Sequence, residues 1–223
     1  MFLKLFLVVN FILMKGITRQ YQLPALISCG IDEAGRGPIA GPVTAAAVVL
    51  PLDFPVQELD DSKKLTPLKR EKVALLIRER SAAWSTGWCS AYEIDQVNIH
   101  KASLIAMWRA LRSLGVRPDR VLIDGKFPLK TPQECSAIIR GDTKIPEIMA
   151  ASIIAKTERD RFMNRYGRIE PIYEFERHKG YATVKHRKIV KHYGLSPIHR
   201  KSFRIKPPCF PKKETKQLTL NEK

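Results

Sequence analysis

Five short segments along the chain predict β-strands, and most of them are apolar runs bounded by glycine, proline or charged residues. The segment DEAGRGPIAGP joins the first two runs, and its glycines and prolines prevent regular structure. Two strands joined by so short a loop are expected to pair antiparallel. The predicted strands cover residues 25–31, 43–50, 83–89, 121–123 and 137–139.

Four segments between and after these runs predict helices. Thr66 followed by Pro67 is a favourable helix start, and this helix is expected to end at Arg80. Asn98 caps a second helix, which has apolar residues at three- and four-residue spacing and stops at Gly115. Two more helices are predicted over residues 146–166 and 184–192. Strands come first and then alternate with helices, which indicates an α/β fold with a mixed sheet covered by helices.

The predicted elements define one folded domain over residues 25–206, referred to below as the catalytic body. A chain of 223 residues with 44% hydrophobic content suits a single domain. Residues 1–24 form an N-terminal extension whose first part, MFLKLFLVVNFILM, is too short to span a membrane. No signal-peptide cleavage site follows, so Met14 is interpreted as the true initiator, with an uncleaved membrane anchor as the alternative. Residues 207–223 are basic and are predicted to be a disordered tail.

Charge and cysteine content narrow the class of function. The chain has 39 Lys and Arg against 22 Asp and Glu, which gives a net charge of +17 and attracts polyanions. Nucleic acid is the first candidate partner and an anionic membrane surface the second, while a merely well-solvated basic protein is the plain alternative. The four cysteines form no C-x-x-C pattern, which fits a reducing, cytoplasmic setting without a zinc site. No stable membrane association is expected, and a monomer is the expected state.

Acidic residues follow the predicted strands in a repeated way. Asp32, Asp124 and Asp142 each come after an apolar run, and sites in open α/β sheets gather where strands end. Glu33 joins them only if the chain leaves strand geometry beside Asp32, since adjacent strand residues point to opposite faces. Clustered carboxylates favour a hard cation, Mg²⁺ or Mn²⁺, over zinc. A single Asp beside a glycine is more often a turn residue, so the prediction depends on the repetition.

Two other segments are candidates for substrate contact. The loop Gly35-Arg36-Gly37 can expose backbone groups to phosphate or sugar oxygens, and the Arg36 guanidinium can add charge. Tyr181 follows a glycine among cations and can stack on a sugar or base. A plain tight turn and a surface tyrosine are the alternatives. There is no Walker A motif, which argues against a nucleoside triphosphatase.

The motif DEAGRGPIAGPV at residues 32–43 resembles the signature of the ribonuclease HII family. Weaker matches to the same family follow along the chain, so that the resemblance covers about residues 27–203. They are DSKKL at 61–65, IDG at 123–125, GD at 141–142, AASIIAK at 150–156, HKGY at 178–181 and SPIHRKSF at 196–203.

The resemblance implies a ribonuclease H-like fold, with a five-stranded mixed sheet flanked by helices and a C-terminal helical region. It implies an endonuclease that hydrolyses the RNA strand of RNA–DNA hybrids and cuts 5′ of ribonucleotides embedded in DNA, as in ribonucleotide excision repair and DNA replication. Two-metal hydrolysis with Mg²⁺ or Mn²⁺ would leave 3′-hydroxyl and 5′-phosphate ends. The implied catalytic and metal-binding residues are Asp32, Glu33, Asp124 and Asp142, and the implied substrate-binding residues are Gly35, Arg36, Gly37 and Tyr181.

Two rival functions remain open at this stage. The first is a nucleic-acid-binding protein without catalysis, against which the carboxylates argue because acids repel phosphate unless a metal intervenes. The second is another metal-dependent nuclease of similar fold, such as a junction resolvase or an exonuclease. Comparing all-DNA, hybrid and single-ribonucleotide substrates distinguishes them.

Overall fold

The computed structural model describes residues 23–204, and its centre is a five-stranded mixed sheet in the order β3-β2-β1-β4-β5. β1 pairs antiparallel with β2, and β2 pairs antiparallel with β3. β4 lies parallel to β1 on its other side, and β5 lies parallel to β4. The predicted mixed sheet is therefore confirmed. The strands are β1 Ser28–Ala34, β2 Val43–Val49, β3 Ala83–Cys89, β4 Arg120–Asp124 and β5 Glu134–Ile138.

Several of the helices begin where local capping chemistry predicts. The Thr66 hydroxyl accepts the Lys69 amide at the start of the first helix, and the Asn98 side chain accepts two amides at the start of the third. Ser90 and Glu93 form a capping box that starts a short second helix, which the sequence pattern did not predict. The helices are α1 Pro67–Arg80, α2 Ala91–Val97, α3 Ile99–Arg112, α4 Pro146–Ile169, α5 Phe175–His178 and α6 Val184–Tyr193.

The alternation of side chains across the sheet divides the core into two layers. Odd-numbered residues of β1, such as Cys29 and Ile31, are buried in the cluster that contains α3. On the opposite face α1 and α4 cover the sheet. A Cβ atom on Gly30 would lie 2.1 Å from the Glu147 carbonyl carbon, so the first turn of α4 lies directly against β1. This close approach brings the start of α4 beside the end of β1.

The C-terminal region packs on the loop between β1 and β2. Backbone hydrogen bonds join Ile39 to Gly180 and to Arg200, and Gly41 to Ile198. Beneath them lies a small core of Ala40, Met163, Tyr173 and Phe175. The glycine-rich loop is thus held by a segment that lies more than a hundred residues later in the chain.

Two strand ends differ from the prediction. The strand predicted at residues 25–31 is β1, Ser28–Ala34, because Asp32 and Glu33 continue the backbone ladder opposite Ala46 and Ala45. The strand predicted at 137–139 is β5, and Asp142 follows it on a separate 3₁₀ turn, Gly141–Thr143. Backbone pairing does not require apolar side chains, so an acidic residue did not end the strand.

Residues 1–22 and 205–223 lie outside the described part of the chain, so the extension and the tail remain predictions. Within residues 23–204, no helix has both the length and the apolar character needed to cross a membrane.

Candidate active site

Three carboxylates meet at the end of the sheet. Asp32 lies in β1, Asp124 is the last residue of β4, and Asp142 lies on the turn that precedes α4. One oxygen of each carboxylate lies within 4.8 Å of the others. The structure therefore brings together the three aspartates that the sequence pattern selected.

The local backbone explains this convergence. Val121 and Ile123 face the α3 layer, so Asp124 faces the α4 layer, as Asp32 does on β1. The Gly141 amide donates to Asp124 Oδ1 at 2.7 Å, which fixes the turn carrying Asp142 against the end of β4. The Asp32 and Asp142 side chains are buried, so water screens their charges poorly.

The electrostatics of the cluster favour a bound cation. Burial raises the pKa of Asp32 well above its usual range, and the charges of Glu33 and Asp124 raise it further. Burial and Asp142 raise the pKa of Asp124. Full ionisation of such a cluster requires a neighbouring positive charge. The all-oxygen donor set fits a hard divalent ion, which Asp32, Asp124 and Asp142 would hold.

Glu33 lies beside the three aspartates but is not one of the clustered groups. The chain keeps strand geometry through Glu33, and the Glu33 carboxylate still interacts electrostatically with Asp32 and with Asp124. Its carboxylate accepts from Arg36 Nη1 at 3.1 Å. Burial raises the pKa of Glu33, the Arg36 charge lowers it, and the Asp124 charge raises it. Glu33 therefore shares the electrostatic environment of the cluster while it contacts the glycine-rich loop.

Sequence reasoning assigned no role to three residues that support the cluster, two of them directly and one through a neighbouring serine. The Ser152 hydroxyl hydrogen-bonds the Asp32 carboxylate, and Ser62 Oγ lies 3.0 Å from Ser152 Oγ. The Lys63 ammonium donates to Asp142 Oδ2 at 3.0 Å, and this bond raises the pKa of Lys63. These residues belong to the motifs DSKKL and AASIIAK, and those motifs are the sequence feature from which a role at the site could have been predicted. They orient two of the carboxylates and supply one positive charge.

The glycine-rich loop and Tyr181 lie together, although they are far apart in sequence. A Cβ atom on Gly37 would lie 3.6 Å from Tyr181 Cε1, so the ring is in van der Waals range of the loop. Tyr181 is 46% exposed, and Arg36 and Gly37 are exposed beside it. Gly35 has φ +95, and a Cβ atom there would lie 2.0 Å from Arg159 Nε, so only glycine fits.

The carbonyl groups at the start of the loop point into the protein. Arg200 Nη2 donates to the Gly35 carbonyl at 2.6 Å, and Nη1 donates to the Arg36 carbonyl at 3.0 Å. The sequence pattern predicted that backbone groups of this loop contact phosphate or sugar oxygens. These two carbonyls already accept hydrogen bonds from Arg200. The same two peptide groups can therefore contact a ligand only through their N–H groups.

Three buried histidines hold the segment that carries Tyr181. The Ser196 amide donates to His199 Nδ1, so His199 carries its proton on Nε2 and donates to His186 Nε2 at 3.0 Å. His186 then carries its proton on Nδ1 and donates to the Tyr181 carbonyl at 2.9 Å. The His178 ring stacks on His186 at 3.9 Å between centroids. The hydrogen bonds of His186 and His199 are therefore consistent only with neutral rings.

Comparison with known proteins agrees with this geometry. The sequence profile of the family Ribonuclease HII matches residues 29–206. Ribonuclease HII of Treponema denticola is 47% identical over 195 residues, which are 80% of this chain and 98% of the relative.

Solved structures resemble the fold as well. Ribonuclease H2 from Pyrococcus horikoshii has a TM-score of 0.68 at 26% identity and covers 81% of this chain and 95% of its own. The PCNA:RNase HII complex from Archaeoglobus fulgidus has a TM-score of 0.69 at 25% identity and covers 81% of this chain and 96% of its own. This chain therefore belongs to the ribonuclease HII family, metal-dependent endoribonucleases that cleave the RNA strand of RNA–DNA hybrids.

Proposed function

We propose that this protein also cuts DNA duplexes on the 5′ side of a single embedded ribonucleotide and leaves 3′-hydroxyl and 5′-phosphate ends. One juxtaposition carries the proposal: Glu33 connects the three-aspartate cluster with the loop on which Tyr181 lies. A site for chemistry and a surface that reads the sugar are thereby neighbours.

The proposed metal-binding and catalytic residues are Asp32, Glu33, Asp124 and Asp142. Bound in pairs, Mg²⁺ or Mn²⁺ would supply an activated water and charge neutralisation at the leaving 3′ oxygen. The protein holds the carboxylates in place: Ser152 orients Asp32, and the Gly141 amide orients Asp124. In this scheme the carboxylates would hold the ions and need not transfer protons themselves.

The proposed substrate-binding residues are Gly35, Arg36, Gly37 and Tyr181. The 2′-hydroxyl is the group that distinguishes a ribonucleotide from DNA, and the outward amides of the loop can donate to its oxygen. The exposed Tyr181 ring can stack on the next sugar, where a deoxyribose fits more closely than a ribose. Together these contacts would read an RNA-to-DNA step and place the cut before the ribonucleotide.

The proposed partners are RNA–DNA hybrids and DNA that contains ribonucleotides, and the net charge of +17 supports attraction to both. We propose a monomer that acts in the cytoplasm, in ribonucleotide excision repair and DNA replication. The three described cysteines, Cys29, Cys89 and Cys135, are free thiols, as a reducing setting requires.

The decisive experiment is a panel of three duplexes: a long RNA–DNA hybrid, DNA with one ribonucleotide, and all-DNA. We expect cleavage of the first two with Mg²⁺ and with Mn²⁺, and none of the third. Asp124→Asn should abolish both reactions and preserve hybrid binding, because the basic surface supplies most of the affinity. Asp53→Asn, a matched change of an exposed carboxylate paired with Arg80, should leave activity unchanged. Failure to cut the single-ribonucleotide duplex would reject the proposed specificity.

A second variant tests the role of the tyrosine. Tyr181→Ala should lower kcat/KM more on the single-ribonucleotide duplex than on the long hybrid, because only the former depends on reading a junction. Tyr193→Ala removes another exposed ring, at the end of α6, and should affect neither substrate. If kcat/KM falls equally on both substrates and the melting temperature falls with it, Tyr181 only packs against the loop and does not read the junction.

A further inference from the structure

Arg200 is fully buried, and its guanidinium donates hydrogen bonds to three backbone carbonyls. Its Nε, Nη1 and Nη2 donate to the carbonyls of Gly41, Arg36 and Gly35 at 2.9, 3.0 and 2.6 Å. The guanidinium also lies 5.0 Å from the centre of the Phe203 ring. Burying a charge in this way is costly, so its position behind the loop calls for a reason.

The hydrogen bonds from Arg200 fix the direction in which the N–H groups of the loop point. No cis peptide bond occurs in residues 23–204, and in a trans peptide the C=O and the following N–H point in opposite directions. Because Arg200 draws the Gly35 carbonyl inward, the Arg36 N–H points outward. The same reasoning turns the Gly37 N–H outward, and both residues are exposed.

A second buried arginine reinforces the field behind the loop. Arg159 donates to the carbonyls of Pro42, Lys179 and Ala40, and none of these belongs to the peptides that Arg200 holds. Burial lowers the pKa of Arg200 to about 9 and that of Arg159 to about 10, so both remain protonated at pH 7. Two positive charges behind two outward N–H groups favour an acceptor oxygen at the surface of the loop.

We propose that Arg200 is a positioning residue for ribonucleotide recognition. It fixes the carbonyls of Gly35 and Arg36 inward, so that the loop presents N–H donors to the 2′-oxygen of the substrate. A flipped peptide would present a carbonyl instead and would repel phosphate oxygens nearby. The inference rests on the proposed function, because it assumes that this loop reads the sugar.

The test compares two lysine variants that keep the charge. In Arg200→Lys a single nitrogen replaces three separated donors, so the Gly35 and Arg36 peptides are free to turn. Arg109→Lys is the control, because Arg109 donates to the Trp88 carbonyl and to Glu93 and contacts neither of those two peptides. Dissociation constants are measured for a single-ribonucleotide duplex and its all-DNA counterpart, with the Asp124→Asn substitution present in every protein to prevent turnover.

The readout is the ratio of the two dissociation constants, which a general loss of stability does not change. We expect Arg200→Lys to reduce the preference for the ribonucleotide by about tenfold, as the loss of one or two hydrogen bonds implies, and Arg109→Lys to retain it. An unchanged ratio in Arg200→Lys, or an equal fall in both variants, overturns the proposal. No preference in the parent protein would instead reject the proposed function.

Two further measurements cover the case in which Arg200→Lys does not fold. Arg200→Gln is uncharged and therefore cheaper to bury, and it should show the same fall in the ratio. In the wild-type protein, amide exchange at Arg36 and Gly37 should be fast, because their N–H groups face solvent. Strong protection of both amides in the free protein would show that the peptides point the other way.

Discussion

Lowering the pH from 7.5 to 5 should destabilise the protein through His186 and His199. Burial lowers the pKa of each to about 4, whereas an unfolded histidine titrates near 6.5. The folded state therefore binds fewer protons than the unfolded state between these values. The stability that the neutral pair contributes is complete above about pH 6.5 and is lost as the pH falls towards 4.

The magnitude follows from the same values. At pH 5 the cost is about 2 kcal/mol for each histidine and about 4 kcal/mol for the pair. Near pH 5.3, unfolding should take up about two protons through these two rings. The raised pKa values of Asp32, Glu33 and Asp124 act in the opposite direction, since those groups bind protons more readily in the folded state.

Comparing wild type with a histidine variant at each pH cancels the contribution of the carboxylates to the free energy of unfolding. Urea unfolding followed by tryptophan fluorescence from pH 5 to 8 gives the free energy of unfolding of wild type and His186→Gln. The variant should be less stable at pH 7.5 and should take up about one proton fewer on unfolding. His192→Gln, a change on the exposed end of α6, is the control and should match wild type. The same proton uptake in wild type and His186→Gln would refute the reasoning.

Three further predictions concern the sheet, the metal centre and the N-terminus. Gly87→Ala should lower the free energy of unfolding by about 3 kcal/mol, measured by urea titration, because its Cβ would lie 2.1 Å from the Ala106 carbonyl oxygen. Ser152→Ala should weaken Mg²⁺ binding about tenfold in calorimetry, because Asp32 loses the hydroxyl that orients it. Deleting residues 1–13 should leave cleavage and the melting temperature unchanged. Aggregation of the truncated protein, or membrane partitioning of the full chain, would contradict that interpretation.

Local signals predicted much of the fold because their causes lie within a few residues. Thr66 and Asn98 cap helices through amides two or three positions away, and such pairs are visible in the sequence. The repeated placement of Asp32, Asp124 and Asp142 after apolar runs sufficed to predict their convergence, since parallel β1 and β4 end at one edge.

Other features depend on partners that no local pattern identifies. The extension of β1 through Asp32 depends on the small alanines opposite it in β2. Ser152 acquires a role only because α4 lies against Gly30, and Arg200 only because the C-terminal segment returns to the loop. Their partners are between about ninety and 165 positions away, so their functions follow from the tertiary structure alone.

The contact between Arg200 and Gly35 spans 165 positions, and it sets the order in which the protein becomes competent during synthesis. At about 5–20 residues per second, on the order of ten seconds or more separate the translation of the loop from that of its anchor. During that interval a nascent chain already carries Asp32 and Asp124 but lacks the residues that fix the sugar-reading loop. Ribosome-bound chains arrested before Ser196 should therefore be unable to discriminate ribonucleotides, and only the addition of residues 196–206 completes the catalytic body.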